Sequence, residues 1–239
     1  MNEYLASLER DLSPIEGGFK EEERRARSDY DSHDRDQALE IAYCAYRSDV
    51  YQVRMYAVFL MGYLSQDQEV LTFLRENVAQ DGNWRVQEIL AKAFDVFCAT
   101  TGYEHSLSVI DEWLGHSNPN VRRAVTEGLR IWTSRPYFKD HPCEAIKRLS
   151  ALRNDPSEYV RKSVGNALRD ISKRFPDLVA TELSAWDLES KETRQVHKLA
   201  GKFIERDAAH AAGGVASHRS ISAFHTRFEA SLAKEASID

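Results

Sequence analysis

No apolar run in the 239-residue chain approaches the roughly 18 to 20 residues that a membrane-spanning helix needs, so no membrane span is expected. The opening, MNEYLASLERDL, lacks the basic region and apolar stretch of a secretory signal, and the expected location is the cytoplasm. Cysteine is scarce: Cys44, Cys98 and Cys143 are odd in number, far apart and set in apolar helical surroundings. That argues against a disulfide framework and a CxxC metal or redox site, and leaves buried free thiols as the expectation. A Gly-rich phosphate loop, GxSxG and HExxH are all missing, and the eight histidines show no metal spacing along one helix face, so neither a metal nor a cofactor is expected. Strand-type alternation of Val, Ile and Thr is missing too, which excludes a sheet-based fold.

What is present is an ordinary globular composition, 42% hydrophobic and 29% charged, enough to bury a sizeable core. The net charge of -6 is unevenly divided: residues 1–116 hold 11 Lys+Arg against 22 Asp+Glu, and residues 117–206 hold 18 against 12. A basic stretch inside an acidic protein is a polyanion surface in outline, because phosphate contacts need cations on one face only. The same residues equally suit solvated helix faces or local pairing with carboxylates.

Internal repetition organises the chain. Five segments align on a Val-Arg core: SDVYQVRMYAVFLMGYL (48–64), DGNWRVQEILAKAFDVF (81–97), SNPNVRRAVTEGLRIW (117–132), DPSEYVRKSVGNALRDI (155–171) and, degenerate, ESKETRQVHKLAGKFI (189–204). Their valines, Val53, Val86, Val121 and Val160, lie 33, 35 and 39 residues apart. Four, eight and eleven residues after each valine the chain stays apolar, as at Leu90, Phe94 and Phe97 or Val164, Leu168 and Ile171, which is a helical stripe facing a core. Turn and capping signals precede these helices at Asp81-Gly82, Asn118-Pro119 and Asp155-Pro156, and segments 67–79, 104–115, 142–153 and 176–186 read as first helices of pairs. Two antiparallel helices cannot bury such a stripe alone. Stacked neighbours are required, and the expected fold is all-α: a HEAT-like repeat solenoid over residues 1–206 with a concave binding face. Residues 1–37 read as N-terminal cap helices, and residues 207–239 as a linker with a short terminal helix or frayed tail.

In a solenoid the second helices commonly line the concave side. After each valine come Arg54-Met55, Gln87-Glu88, Arg122-Arg123 and Arg161-Lys162, followed by Glu127, Arg130, Asn166, Arg169 and Asp170. The arginine directly after the valine has a structural explanation, a guanidinium fork tying adjacent repeats through Asp or carbonyl partners. The second repeat departs from the pattern with Gln87 and the carboxylate Glu88, and Trp84 lies one helical turn before Glu88 on the same face. An aromatic plate beside an acid suits a flat cationic ligand. Core packing for Trp84 and plain solvation for Glu88 are the competing readings.

NWRVQEILAKAFDVF, NPNVRRAVTEGLRIWTSRPYF and DPSEYVRKSVGNALRDISKRFPDLV, about residues 80–185, resemble the DNA alkylation repair family of HEAT-like repeat DNA glycosylases, the AlkD and AlkC types. The last two segments are nearer AlkC, whereas the short N-terminal region is nearer AlkD in length. The resemblance implies hydrolysis of the N-glycosidic bond of positively charged N3- or N7-alkylpurines in double-stranded DNA. It also implies roles: Trp84 as a cleft tryptophan, Glu88 as the cleft carboxylate (Asp in the AlkD type), Arg123 as a DNA-backbone contact and Arg169 as a further basic position. Arg122, Arg130, Arg161, Lys162 and Asn166 complete the expected DNA-binding set. Asn166 stands where the AlkD type has a second cleft tryptophan, a place that Trp132 or Tyr137 would have to fill. The competing functions are a DNA-binding repeat protein without catalysis and a scaffold whose acidic N-terminal half receives a protein partner.

Overall fold

The computed structural model describes residues 1–204; the expected linker and terminal helix lie outside the described residues. The first compact unit runs Met1–Phe203. The described residues are helical without strands, in the order α1 (Asn2–Leu12), α2 (Lys20–Ser32), α3 (Arg35–Tyr46), α4 (Tyr51–Leu64), α5 (Gln68–Glu76), α6 (Trp84–Thr101), α7 (Leu107–Leu114), α8 (Pro119–Gly128), α9 (Pro136–Asp140), α10 (Pro142–Ala151), α11 (Glu158–Ser172), α12 (Pro176–Ser184) and α13 (Lys191–Ala200). Short 3-10 turns fill Val78–Gln80 and Trp132–Ser134. The chain is a HEAT-like solenoid of helix pairs, α1/α2, α3/α4, α5/α6, α7/α8, α10/α11 and α12/α13, with α9 inserted.

The second helices α2, α4, α6, α8, α11 and α13 pack in one continuous row, whereas the first helices barely touch one another, α10 and α12 making only a slight contact. A layer packed more tightly on one side than on the other curves toward the tight side, so the second helices line the concave face. Two glycines set how close they come. A Cβ on Gly128 would lie 2.3 Å from the backbone oxygen of Ala91 on α6, and one on Gly165 would lie 2.7 Å from Leu199 on α13. The core between the layers includes the fully buried Tyr56, Phe94, Trp113, Trp132 and Phe138, with Phe94 and Trp113 stacked at 4.5 Å.

The arginine after each repeat valine is a structural tie. Arg122 donates through Nε and Nη2 to Asp155 at 2.6 and 2.8 Å, and through Nη1 to the carbonyls of His116 and Ser117. Arg54 repeats this with Asp81 and the carbonyls of Ser48 and Asp49. Arg161 holds the carbonyls of Asp155 and Pro156, and reaches Gln195 where the other ties have a carboxylate. Each guanidinium thus clamps the loop leading into its own helix and reaches the second helix of the next repeat or the loop just before it. Asp81 and Asp155 serve twice, since each also accepts the amide two residues on, from Asn83 and Ser157. At the departing repeat Gln87 keeps the loop contact, donating to the Asp81 carbonyl at 2.7 Å.

These ties bear against two expectations: Arg122 and Arg161 are buried, Arg122 engages all three guanidinium nitrogens inside the protein and Arg161 engages Nε and Nη1, so both serve the fold rather than a phosphate. Three further differences concern boundaries and burial. The segment aligned over 117–132 stops being α-helical at Gly128, and the chain then turns Trp132 inward against Phe138 at 4.9 Å. The longer spacing between Val121 and Val160 is taken up by this 3-10 turn and α9, which restarts at Pro136. The helix N-cap of α6 is Asn83, two residues past the Asp81 signal, and Asp81 accepts the Asn83 amide while it holds Arg54. Finally, Cys98 is buried but Cys44 is only partly so and Cys143 is exposed; burial pushes the Cys98 thiol up to about 12.

Candidate nucleic-acid interface

The inner second helices are flanked on both sides by other second helices and backed by the first layer; α8, for instance, touches α6, α11 and α7. The fourth side carries residues two, six and nine places after each repeat valine. On α6 these are Glu88, Lys92 and Asp95; on and just past α8, Arg123, Glu127 and Arg130; on α11, Lys162, Asn166 and Arg169. All are partly or fully exposed. Their counterparts on α4, Met55, Phe59 and Gly62, are buried, because α2 lies along α4 and the Phe19 ring packs on Phe59 at 5.9 Å. The open face therefore begins at α6, where Lys92 Nζ sits 4.2 Å over the Phe19 ring. Its charge rises along the array, from two acids and a base on α6 to two bases and an amide on α11.

Two clusters occupy this face. In the first, Glu88 Oε1 lies 3.9 Å from Arg123 Nη2, with the side chains 49% and 27% exposed. This is a loose, solvent-facing pair rather than a buried lock. Trp84, 56% exposed, stands one turn before Glu88 on the same helix, so the indole, the acid and the guanidinium share one stretch of the surface. Core packing does not describe the exposed Trp84, whereas Glu88 is solvated as well as loosely paired.

In the second cluster Arg130 donates to Asp170 Oδ2 at 2.8 Å and to Glu127 at 3.4 Å. Lys173 reaches Asp170 Oδ1 at 2.9 Å, and Arg169 stands 3.9 Å from the same oxygen. Burial alone would push the Asp170 carboxyl up, but hydrogen bonds from Lys173 and Arg130 outweigh it and hold the group below the usual carboxylate range. On α11 the equivalent positions, Lys162 and Arg169, are seven residues of continuous helix apart, about 10 Å by helical rise. The two clusters thus share a face without touching. Lys162 pairs with Glu158 at 2.7 Å on the surface, and Asn166 lies half-exposed between Lys162 and Arg169.

No second aromatic wall faces Trp84 from the expected places. Trp132 is fully buried in the core, its indole N–H donating to the Thr126 carbonyl at 3.4 Å. Tyr137 packs against His141 at 4.6 Å and Phe138 at 5.3 Å.

Other groups at this surface were not singled out in the sequence. Asp95 accepts from Arg135 at 2.6 Å and Tyr103 at 2.9 Å; burial raises its carboxyl against the lowering effect of these partners. Lys92 and Asp95 follow from the same two-six-nine spacing that relates Glu88 to Arg123 and Lys162. Arg135 reaches Asp95 from beyond the repeat helix, a return that no periodicity signals. Among the described residues no group of three or more His, Cys, Asp or Glu could hold a metal ion, and no helix is long and apolar enough to cross a membrane.

A family model described as "DNA alkylation repair enzyme" matches residues 19–207. The chain belongs to that family. Among solved structures, it is similar to AlkD2 from Streptococcus mutans, with 65% identity and a TM-score of 0.84 over 84% of this chain and 98% of that one. It is also similar to the Pseudomonas fluorescens alkylpurine DNA glycosylase AlkC bound to DNA containing an abasic site analog, with 25% identity and a TM-score of 0.57 over 73% of this chain and 48% of that one. A Bacillus subtilis relative, the uncharacterized protein YhaZ, is 39% identical over 87 residues, 35% of this chain and 24% of the relative's length. The family match starts at Phe19, directly before α2, so it takes in the whole open face.

Proposed function

We propose that the open face of α6, α8 and α11 receives double-stranded DNA and that Glu88 and Trp84 act there on a positively charged N3- or N7-alkylpurine, releasing the base. The observation that carries this reading is the meeting of Trp84, Glu88 and Arg123 on one exposed stretch. An alkylpurine cation is already a good leaving group. As the N-glycosidic bond breaks, the base keeps the bonding electron pair and becomes neutral, and positive charge passes to the sugar. The Glu88 carboxylate stabilises that charge and takes a proton from the water that adds to the anomeric carbon. The indole offers a cation-π surface to the charged base before cleavage. Arg123, Arg130, Arg169 and Lys162 supply backbone contacts on the more basic part of the face. Family membership and the likeness to a solved alkylpurine glycosylase support the reading.

A second reading, binding without excision, is favoured by a particular feature: Asn166 stands in place of a second ring, and Trp132 lies in the core. One assay separates the two. The wild-type chain is incubated with methylated duplex DNA, and free 7-methylguanine and 3-methyladenine are measured beside binding. Release that Glu88→Gln abolishes while binding persists supports excision. Salt-dependent binding with no base released by wild type sinks excision and leaves the second reading.

A further inference from the structure

The first turn of α6 carries a cation with ring contacts but no carboxylate or carbonyl partner among the described residues. Arg85 is the second residue of an 18-residue helix whose first turn contains no acid. Backbone amides there already present the positive end of the helix dipole, so a positive side chain is disfavoured. The guanidinium carbon lies 4.5 Å from the centre of the Trp84 ring and 5.3 Å from that of Tyr51 on α4. Its donors meet no acceptor among the described residues. Arg54, Arg122, Arg161 and Arg194 on the same row of helices clamp loop carbonyls, and Arg123 and Arg169, though without a hydrogen bond, each have a carboxylate at 3.9 Å; Arg85 has no carboxylate within 4 Å among the described residues.

We propose that Arg85, held between Tyr51 and Trp84, is the anchor for a backbone phosphodiester at the rim of the open face. The proposal rests on the reading of that face as a DNA surface. Stacking engages the flat faces of a guanidinium and leaves its N–H edge outward, the geometry that meets two phosphate oxygens at once. The two rings remove rotamer freedom before binding, so less is lost when the phosphate arrives. An anion in this position also relieves the unfavourable placement of a cation in the first turn and gains from the helix amides. Arg85 occupies one face of Trp84, so a nucleobase meets the other.

The test uses the full chain and a short, undamaged, fluorescently labelled duplex, with anisotropy followed over a series of salt concentrations. Arg85→Ala is expected to weaken binding about tenfold, the loss of one charge-assisted contact, and to lower the slope of log K against log salt by about 1. Arg85→Lys keeps the charge without the fork and is expected to restore the slope but not the affinity. Tyr51→Ala, which frees the guanidinium but leaves its charge, weakens binding with the slope unchanged, and Tyr51→Phe behaves as wild type. Arg85→Ala that binds with wild-type affinity and slope overturns the anchor, whatever its unfolding midpoint, and leaves the DNA surface standing. Wild-type protein that shows no salt-dependent binding overturns both.

Discussion

Replacing Asp155 by alanine cuts the bond between the repeat of α8 and that of α11. The carboxylate is 3% exposed and its partner Arg122 is 9% exposed; both guanidinium bonds are short, and Asp155 also holds the Ser157 amide at 2.8 Å. Removing one member of a buried ion pair leaves the other uncompensated, a loss of about 3 to 5 kcal/mol. Here Arg122 keeps the His116 and Ser117 carbonyls at 2.7 and 2.9 Å, so the lower figure, about 3 kcal/mol, is expected. For an array of this size that corresponds to a fall in Tm of roughly 6 to 12 °C. Urea unfolding followed by circular dichroism should show a lower midpoint, and a divided transition if the two halves of the array uncouple. Asp155→Asn, which retains an acceptor, should lose less. The Arg161 tie is the internal control: its partner Gln195 is neutral, so Gln195→Ala should cost only about 1 kcal/mol. Asp155→Ala with a loss below about 1 kcal/mol at an unchanged m-value would refute the assignment of Arg122 to holding the repeats together.

Gly128→Ala is expected to destabilise by at least about 3 kcal/mol, since the new methyl meets the Ala91 backbone, whereas Gly82→Ala, with nothing within 4 Å, should be close to neutral; parallel melts compare them. Glu22 is 1% exposed and neither carboxylate oxygen has a partner among the described residues; burial raises its pKa above the unfolded value. Its ionisation therefore opposes folding, so Glu22→Gln should stabilise the protein, with a gain that grows as pH rises from the unfolded value and levels off above the folded one. Equal pH profiles for the two proteins would count against it. Asp170 has the opposite sign: its folded pKa is depressed, so its contribution is complete above the unfolded value and disappears as pH falls through the folded one. The stability gap between wild type and Asp170→Asn, measured by denaturant midpoint, should be widest near neutrality and close in acid.

The helix pairs were legible because each repeat had to bury its own stripe: the valine register and the apolar residues four, eight and eleven places later require helices of that phase whatever their neighbours are. The Arg-Asp pairing was legible in type, since a guanidinium following each valine suits a tie, but not in allocation. Arg122 and Arg123 are adjacent and chemically identical, yet one is buried against Asp155 and the other faces Glu88 in solvent. A one-residue step rotates a side chain by about 100° around a helix, and which direction is interior depends on where the next repeat packs. For the same reason Trp132, in register with the core stripe of its neighbours, lies in the core and not at the cleft.

Composition and periodicity by themselves determined the class of fold, the order of the helix pairs and the proximity of Trp84 to Glu88, because these depend on contacts within one helix or between adjacent ones. Tertiary structure alone decided that α2 and Phe19 cover the α4 part of the face, that Arg135 returns to Asp95, and that Tyr51 of α4 reaches Arg85 of α6. Those contacts join residues from different helices, and the distance between such residues is set by how closely the backbones pack, down to the space left by a glycine without a side chain.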